Sequence, residues 1–526
     1  MIAHVTGRGF AFALSLPSHP PLTTVVSRKS NGRNKEYFFD HHEPSVEKEF
    51  PRLANGVHRK DKIFSSVLDH LQSVLRSTFL PTIRGSYDGG QKSQLTLLME
   101  SGYLPFILFD NLQDLTTSLR SVLATQRILE GVGVGRSGAT ALSATLNFLI
   151  RDGCGMVASL LFTSLAASSF RRNIKRWKYF ADIMVDIGIT LEIVAPSLLA
   201  TQFSGWFLPL LCMGNVCKAL CGVAAGATGG ALQMFWAIKL TGSEDGISEV
   251  SAKNGAQRTV MGGMGLILAG LTASWLDKID GANSNRGIRK KGLWIGLYCG
   301  LTFLHLVCNW RSLKLVTLDW LNGWRLHRVV DDFLASIDEM SNDCGEDISC
   351  SNPSEVSTWE PIFFVPELHS KQSHLSRYPI RLGVSFNQFA KLSRAPSSTL
   401  KSIMTTKRTS SKDNYILKVG HTNKQLEKNR CILVSFLSEC SNKEKAKAYL
   451  HACLVGRALV LVSAPNGEQN NKPVVHDERE IIRQAEEIGQ REINVLWPIF
   501  ERSASKAGWK LDKTEFSTYG YEICLE

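Results

Sequence analysis

Five stretches between Val132 and Trp310 contain no Asp, Glu, Lys or Arg. They are Gly153 to Phe170 (18 residues), Ile193 to Cys217 (25), Ala219 to Ile238 (20), Thr259 to Leu276 (18) and Gly292 to Trp310 (19). A helix rises about 1.5 Å per residue, so about 20 apolar residues cross a hydrocarbon core of about 30 Å. The pattern predicts a multi-helix, membrane-type bundle. Pro196 and Pro209 interrupt the longest stretch, and Ser, Thr and Gly dilute the rest, so a soluble domain with fully buried helices is the alternative.

Around this middle the periodicity changes. Phe64, Val67, Leu68, Leu71 and Leu75 have helical spacing, and a helix-like run from Tyr103 to Gly131 precedes a glycine-rich break at 131–135. An amphipathic helix is expected through Leu313, Val316, Leu318 and Leu321 to about Met340. Tyr415–Val419 and Cys431–Leu437 are rich in Val, Ile, Leu and Phe, as strands are. Asn442–Leu459 and Ile481–Ala507 look helical, the second with a break near Pro498, and Tyr519–Leu525 could close as an edge strand. The fold class is therefore mainly α: a multi-helix membrane-type bundle followed by a small C-terminal α+β domain. The expected divisions are an N-terminal segment (1–60), a helical domain (61–340), a polar linker and irregular segment (341–413) and the α+β domain (414–526).

Composition refines this picture. The chain has 526 residues and a net charge of +12. The first 35 residues contain no acid, five Arg or Lys, and several hydroxyls, a composition shared with organellar transit peptides. A short signal core at Gly9–Leu16 and a plain tail are the alternatives. A plastid or mitochondrial membrane is the location that follows from the transit reading. Arg171, Arg172, Lys175, Arg176 and Lys178 follow the first apolar stretch, and Arg286, Arg289, Lys290 and Lys291 precede the last. The positive-inside rule would keep both clusters on the non-translocated side. Without interleaved aromatics, the basic balance points to membrane lipids as partners and not to nucleic acid. Twelve scattered cysteines form no CxxC pair and have no histidine at zinc spacing, so no metal is expected.

Several ordered motifs stand out: Ala124-Thr125-Gln126, Arg151-Asp152-Gly153, Phe180-Ala181-Asp182 running to Asp186, and Glu192-Ile193-Val194-Ala195-Pro196. Gly214-Asn215-Val216-Cys217-Lys218, Gly226-Ala227-Thr228, Lys253-Asn254-Gly255, and His305 with Asn309 and Arg311 follow. From about Phe79 to Arg325 the chain resembles the root UV-B sensitive family, with a weaker echo at Trp497-Pro498 and Ala507-Gly508-Trp509. It departs from the family at Gly229, where a basic residue is frequent, at Trp310, and in the basic insert at 286–291. The resemblance implies a membrane-associated protein with no defined biochemical activity. Its plant members are linked to UV-B response, auxin transport and development.

The ionisable residues bordering apolar stretches carry the functional expectation, because a buried charge in a membrane is costly. Asp152, Asp182, Asp186, Glu192 and Lys218 are the candidate polar or solute site. The alternative is that the carboxylates pair with Lys178, Arg176 or Lys218 and set helix register. Lys253 would bind an anion at a loop–helix junction or belong to a solvated loop. Gly222, Gly226 and Gly230 have the spacing of helix-packing glycines. No Gly-x-Ser-x-Gly, nucleotide loop or zinc pattern is present, so neither a cofactor nor catalysis is expected. Two functions follow: binding or moving a small polar solute, or a membrane-anchored adaptor whose C-terminal domain recruits a protein, such as a family paralogue.

Overall fold

The computed structural model describes residues 70–83, 93–132, 141–200, 204–278, 284–340, 349–363, 378–393, 413–421, 430–463, 478–515 and 522–523. The transit-like segment lies outside them. Residues 70–79 form helix α1, and α2 is Gln94–Glu100, capped by the Ser93 side chain.

Six long helices follow: α3 (Tyr103–Val132), α4 (Ala141–Ala166), α5 (Ile174–Val194), α6 (Phe207–Thr241), α7 (Ile247–Lys278) and α8 (Ser284–Leu315). Contacts fix their directions. Gly102, before α3, lies near the carbonyl of Leu315, at the end of α8, whereas Arg120 reaches Thr302, so α3 and α8 are antiparallel. Tyr103 meets Asn254 and Ser118 meets Gly262, so α7 runs with α3. Ala181 packs near Ala224, and Ala195 near Phe207 and Leu211, so α5 and α6 are antiparallel. The helices alternate in direction, and the bundle begins and ends at one end. The two basic clusters consequently sit apart: Arg171–Lys178 at the start of α5, beside the end of α8, and Arg286–Lys291 in the first turns of α8, at the opposite end. The positive-inside expectation that both stay on one side does not hold for an alternating bundle.

Thr145–Ala166, Phe207–Thr241 and Gly292–Leu315 are long and apolar enough to cross a membrane. Only 6% of the apolar window in α4 and 22% of those in α6 and α8 is buried. Leu160, Leu165 and Phe303 are 72%, 83% and 71% exposed, and α7 adds exposed Leu266, Ile267 and Leu271. Such a belt of exposed large apolar side chains far exceeds the scattered ones normal on a soluble surface.

The amphipathic helix expected to run to Met340 is divided. After α8 the chain extends through Val316 and Leu318, both buried, into β1 (Trp320–Asn322), and α9 (Gly323–Met340) begins. Val316 and Leu318 alternate with half-buried neighbours at the period of a strand. Helix α9 turns Leu326, Val329, Val330, Phe333 and Leu334 into a core shared with residues 446–454 and 493–504.

The stretch expected as linker supplies α10 (Pro353–Trp359, with a capping box at Asn352 and Glu355), β2 (Ile380–Leu382) and α11 (Phe386–Ser393). Strands β3 (Tyr415–His421) and β4 (Arg430–Leu437) pair antiparallel, β2 runs parallel to β4, and β6 (Glu522–Ile523) joins β4 in parallel. Helix α12 (Asn442–Val462) covers one face of this sheet through Ala448 and Ala452, and α11 covers the other through Phe389. Helix α13 (Glu478–Lys506) runs unbroken through Pro498, because Ile493, Trp497 and Phe500 anchor both flanks in the core. Strand β5 (Lys510–Glu515), unmarked by the sequence pattern, pairs in parallel with β1 and ties the C-terminal domain to the end of the bundle.

Candidate functional site

A belt of charged side chains lies inside the bundle, beside its apolar clusters. Residues four apart on a helix share a face, so α5 presents Lys178, Asp182 and Asp186 in one row. Lys178 Nζ donates to Asp182 at 2.8 Å, and all three side chains are buried. One turn on, Asp186 accepts from Arg120 Nη1 at 2.6 Å, and His305 Nδ1 lies 3.0 Å from the same carboxylate. Arg120 and His305 have no solvent exposure. The guanidinium is held further by the carbonyl of Thr116 (3.3 Å) and the hydroxyl of Thr302 (3.1 Å).

Helices α3 and α7 add a neighbouring layer. Arg258 stands 3.2 Å from Asp114 and 3.6 Å from Asp110, and Gln257 accepts from Asn111 at 3.1 Å. This belt sets four carboxylates (Asp110, Asp114, Asp182, Asp186) against three permanent cations (Arg120, Lys178, Arg258). Several polar atoms in the bundle are buried without a hydrogen bond: Arg120 Nη2, His305 Nε2, both amide atoms of Asn309, and Gln113 Oε1. Native interiors rarely leave such atoms unpaired, since each costs about 1–3 kcal/mol.

The candidates read from the sequence divide into three groups. Asp182 and Asp186 are brought together in the belt. Glu192 and Lys218 form a separate ion pair across the α5–α6 crossing, with Glu192 1% exposed. Asp152 and Lys253 lie elsewhere: Asp152 is half-exposed and pairs with its neighbour Arg151, and Lys253 sits within α7, donating to the carbonyl of Ser77. The loop–helix junction expected at Lys253 is therefore helix interior. Gly222, Gly226 and Gly230 lie on the exposed side of α6, and among the described residues no atom stands within 4 Å of where a Cβ on them would be. Close approach occurs instead at Gly188 with Gly214, and at Gly155 against Asn215.

Arg120, Asp110, Asp114 and Arg258 were missed because α3 and the start of α7 look like charged soluble helices when read alone. His305 and Asn309 were visible as polar interruptions in a charge-free stretch.

A second ionic cluster lies outside the apolar spans, where the bundle meets the C-terminal domain. Arg325 on α9 grips Glu360 at 2.8 and 3.1 Å, and Lys175 at the start of α5 stands 2.9 Å from its other oxygen. Burial alone would raise the Glu360 carboxyl, but Arg325 and then Lys175 outweigh it and hold it at about 2. Lys175 is the surplus cation: burial pulls it down to about 8, against the attraction of Glu360. Among the described residues no group of three His, Cys, Asp or Glu side chains is arranged to hold a metal.

Comparison with known proteins adds the lineage. Residues 99–336 match the vitamin B6 photo-protection and homoeostasis domain, and residues 349–518 match the root UVB sensitive protein C-terminal domain. The chain is 34% identical over 283 residues to RUS family member 1 of Dictyostelium discoideum, covering 54% of this chain and 47% of that protein. It is 30% identical over 292 residues to root UVB sensitive 3 of Arabidopsis thaliana, covering 55% and 59%. To the Arabidopsis protein root UVB sensitive 2, chloroplastic, it is 30% identical over 236 residues, covering 45% and 49%. The matches thus span about half the length of these relatives. No solved structure matches.

Proposed function

This chain belongs to the root UV-B sensitive family, and we propose that it is an integral membrane protein of an organelle whose bundle binds or moves a small polar solute at the Arg120–Asp186–His305 belt. The observation that carries this reading is the distribution of polarity: a buried ionic belt lies among the apolar clusters of the bundle while large apolar side chains also face outward. Intramembrane ionisable groups mark binding sites and proton pathways more than packing. The unpaired atoms of Arg120, His305 and Asn309 offer donors and acceptors to a solute.

The test is a thermal-shift panel on the purified full chain in detergent, starting with vitamin B6 vitamers because the matching family description names that vitamin. A solute that stabilises the wild type but not Asp186→Asn or His305→Ala supports the reading. A solute that stabilises all three equally places binding elsewhere.

The adaptor reading draws on one feature. Leu461 and Val495 are 70% and 65% exposed, beside a groove of about 420 Å³ between α9, α12 and α13. Loss of a captured partner on Leu461→Glu, with solute binding intact, would favour it.

A further inference from the structure

At the end of the bundle nearer the C-terminal domain is a cleft of about 610 Å³, within the size range of small-molecule sites. One wall is apolar and comes from the last turns of α6 and from β1: Met234, Phe235, Ile238 and Trp320. The lining is also basic. Lys510 and Lys513 enter from β5, Arg171 from the segment before α5 and Lys239 from α6, against only Glu244 and Asp319.

Lys239 and Lys510 have partners in the cleft. Lys239 lies over the rings of Phe235 and Trp236, at 5.5 and 5.2 Å, and donates to the hydroxyl of Thr317 at 3.2 Å. Lys510 is tied to Asp319 at 2.5 Å. Among the described residues Lys513 makes no hydrogen bond or ion pair. The cleft shares no lining residue with the polar belt.

We propose that this cleft binds a lipid bearing a phosphate monoester, with the phosphate between Lys513, Lys239 and Arg171 and the apolar body against Phe235, Ile238 and Trp320. A phosphate monoester carries close to two negative charges at neutral pH, which matches a cleft lined by several cations better than a carboxylate does. The apolar wall is the last part of a helix long enough to span a membrane, so a lipid body on it would continue the outward apolar face of α6. Because β5 belongs to the C-terminal domain and α6 to the bundle, an occupant would touch both.

The experiment measures equilibrium binding to the purified full chain in neutral detergent. The probes are 1-oleoyl lysophosphatidic acid, monoolein, which has the chain without the phosphate, and glycerol 3-phosphate, which has the phosphate without the chain. The proposal expects saturable binding of lysophosphatidic acid that the double variant Lys239→Gln/Lys513→Gln weakens at least tenfold. Met234→Trp, which fills the cleft and leaves every charge in place, should weaken it as much. Circular dichroism confirms that each variant is folded. Monoolein and glycerol 3-phosphate should each bind at least tenfold more weakly. No binding of lysophosphatidic acid overturns the proposal, as does binding that neither folded variant changes. Equal binding of glycerol 3-phosphate reassigns the cleft to a soluble phosphate ester and also overturns it, and equal binding of monoolein removes the role of the cations.

Discussion

Gly188 on α5 and Gly214 on α6 meet backbone to backbone: a Cβ on Gly188 would stand 2.7 Å from the carbonyl oxygen of Gly214, and the reverse contact would be 3.0 Å. Four residues further along each helix stand Glu192 and Lys218, which form their ion pair across this crossing. The glycines bring the helices close, and closeness lets a shielded carboxylate reach its cation.

Gly188→Ala should therefore lower stability by about 1–3 kcal/mol, because the obstructing atom is backbone and cannot rotate away. Gly226→Ala, with open space around it in α6, should be neutral or stabilising by up to about 1 kcal/mol. Thermal unfolding of the full chain in detergent checks both, and equal effects would contradict the crossing.

Removing one partner of the Arg120–Asp186 pair leaves a buried charge behind. Arg120→Ala should cost about 3–5 kcal/mol, whereas Arg120→Met with Asp186→Leu should recover much of that loss. Recovery of stability without recovery of solute binding would show that the pair is kept for binding. A double variant less stable than the single one would contradict this account.

Acid should weaken the joint at Glu360. The folded carboxyl ionises at about 2, whereas an unfolded glutamate ionises near about 4.3. The contribution, on the order of 3 kcal/mol, is complete above about pH 5 and disappears as pH falls through about 2. Between those limits Glu360→Gln should lose less stability with acid than the wild type does. Parallel pH–stability curves from urea unfolding would rule this out.

A charge on the outward face of α4 tests its surroundings. Leu161 is 60% exposed, so Leu161→Arg on a water-facing surface should change stability by no more than about 0.5 kcal/mol. Facing lipid, it should cost about 2.5–3.5 kcal/mol and reduce the yield in the membrane fraction.

The long helices and the strands β3 and β4 were legible because each has an unmixed period: helical or charge-free over many residues in the bundle, strand-like over a few in the sheet. What failed were places where local pattern and tertiary packing disagree. Val316 and Leu318 sit between two helical patterns, so the turn into β1 was hidden inside an apparent single helix. Pro498 signalled a break that the anchored flanks of α13 override. In the candidate site Asp182 and Asp186 were visible from their own spacing. Arg120 and Arg258 were not, because a charge on a polar-looking helix reveals its burial only when neighbours enclose it. Gly222, Gly226 and Gly230 have helix-packing spacing on the exposed side of α6, whereas Gly188 and Gly214 make a close contact without a repeat to announce it.

The central claim is that the outward apolar belt faces lipid, and carbonate extraction of membranes from cells expressing the full chain tests it most directly. The protein should stay in the pellet at alkaline pH with an integral marker. Release into the supernatant with peripheral proteins would contradict it and return the bundle to a soluble helical core.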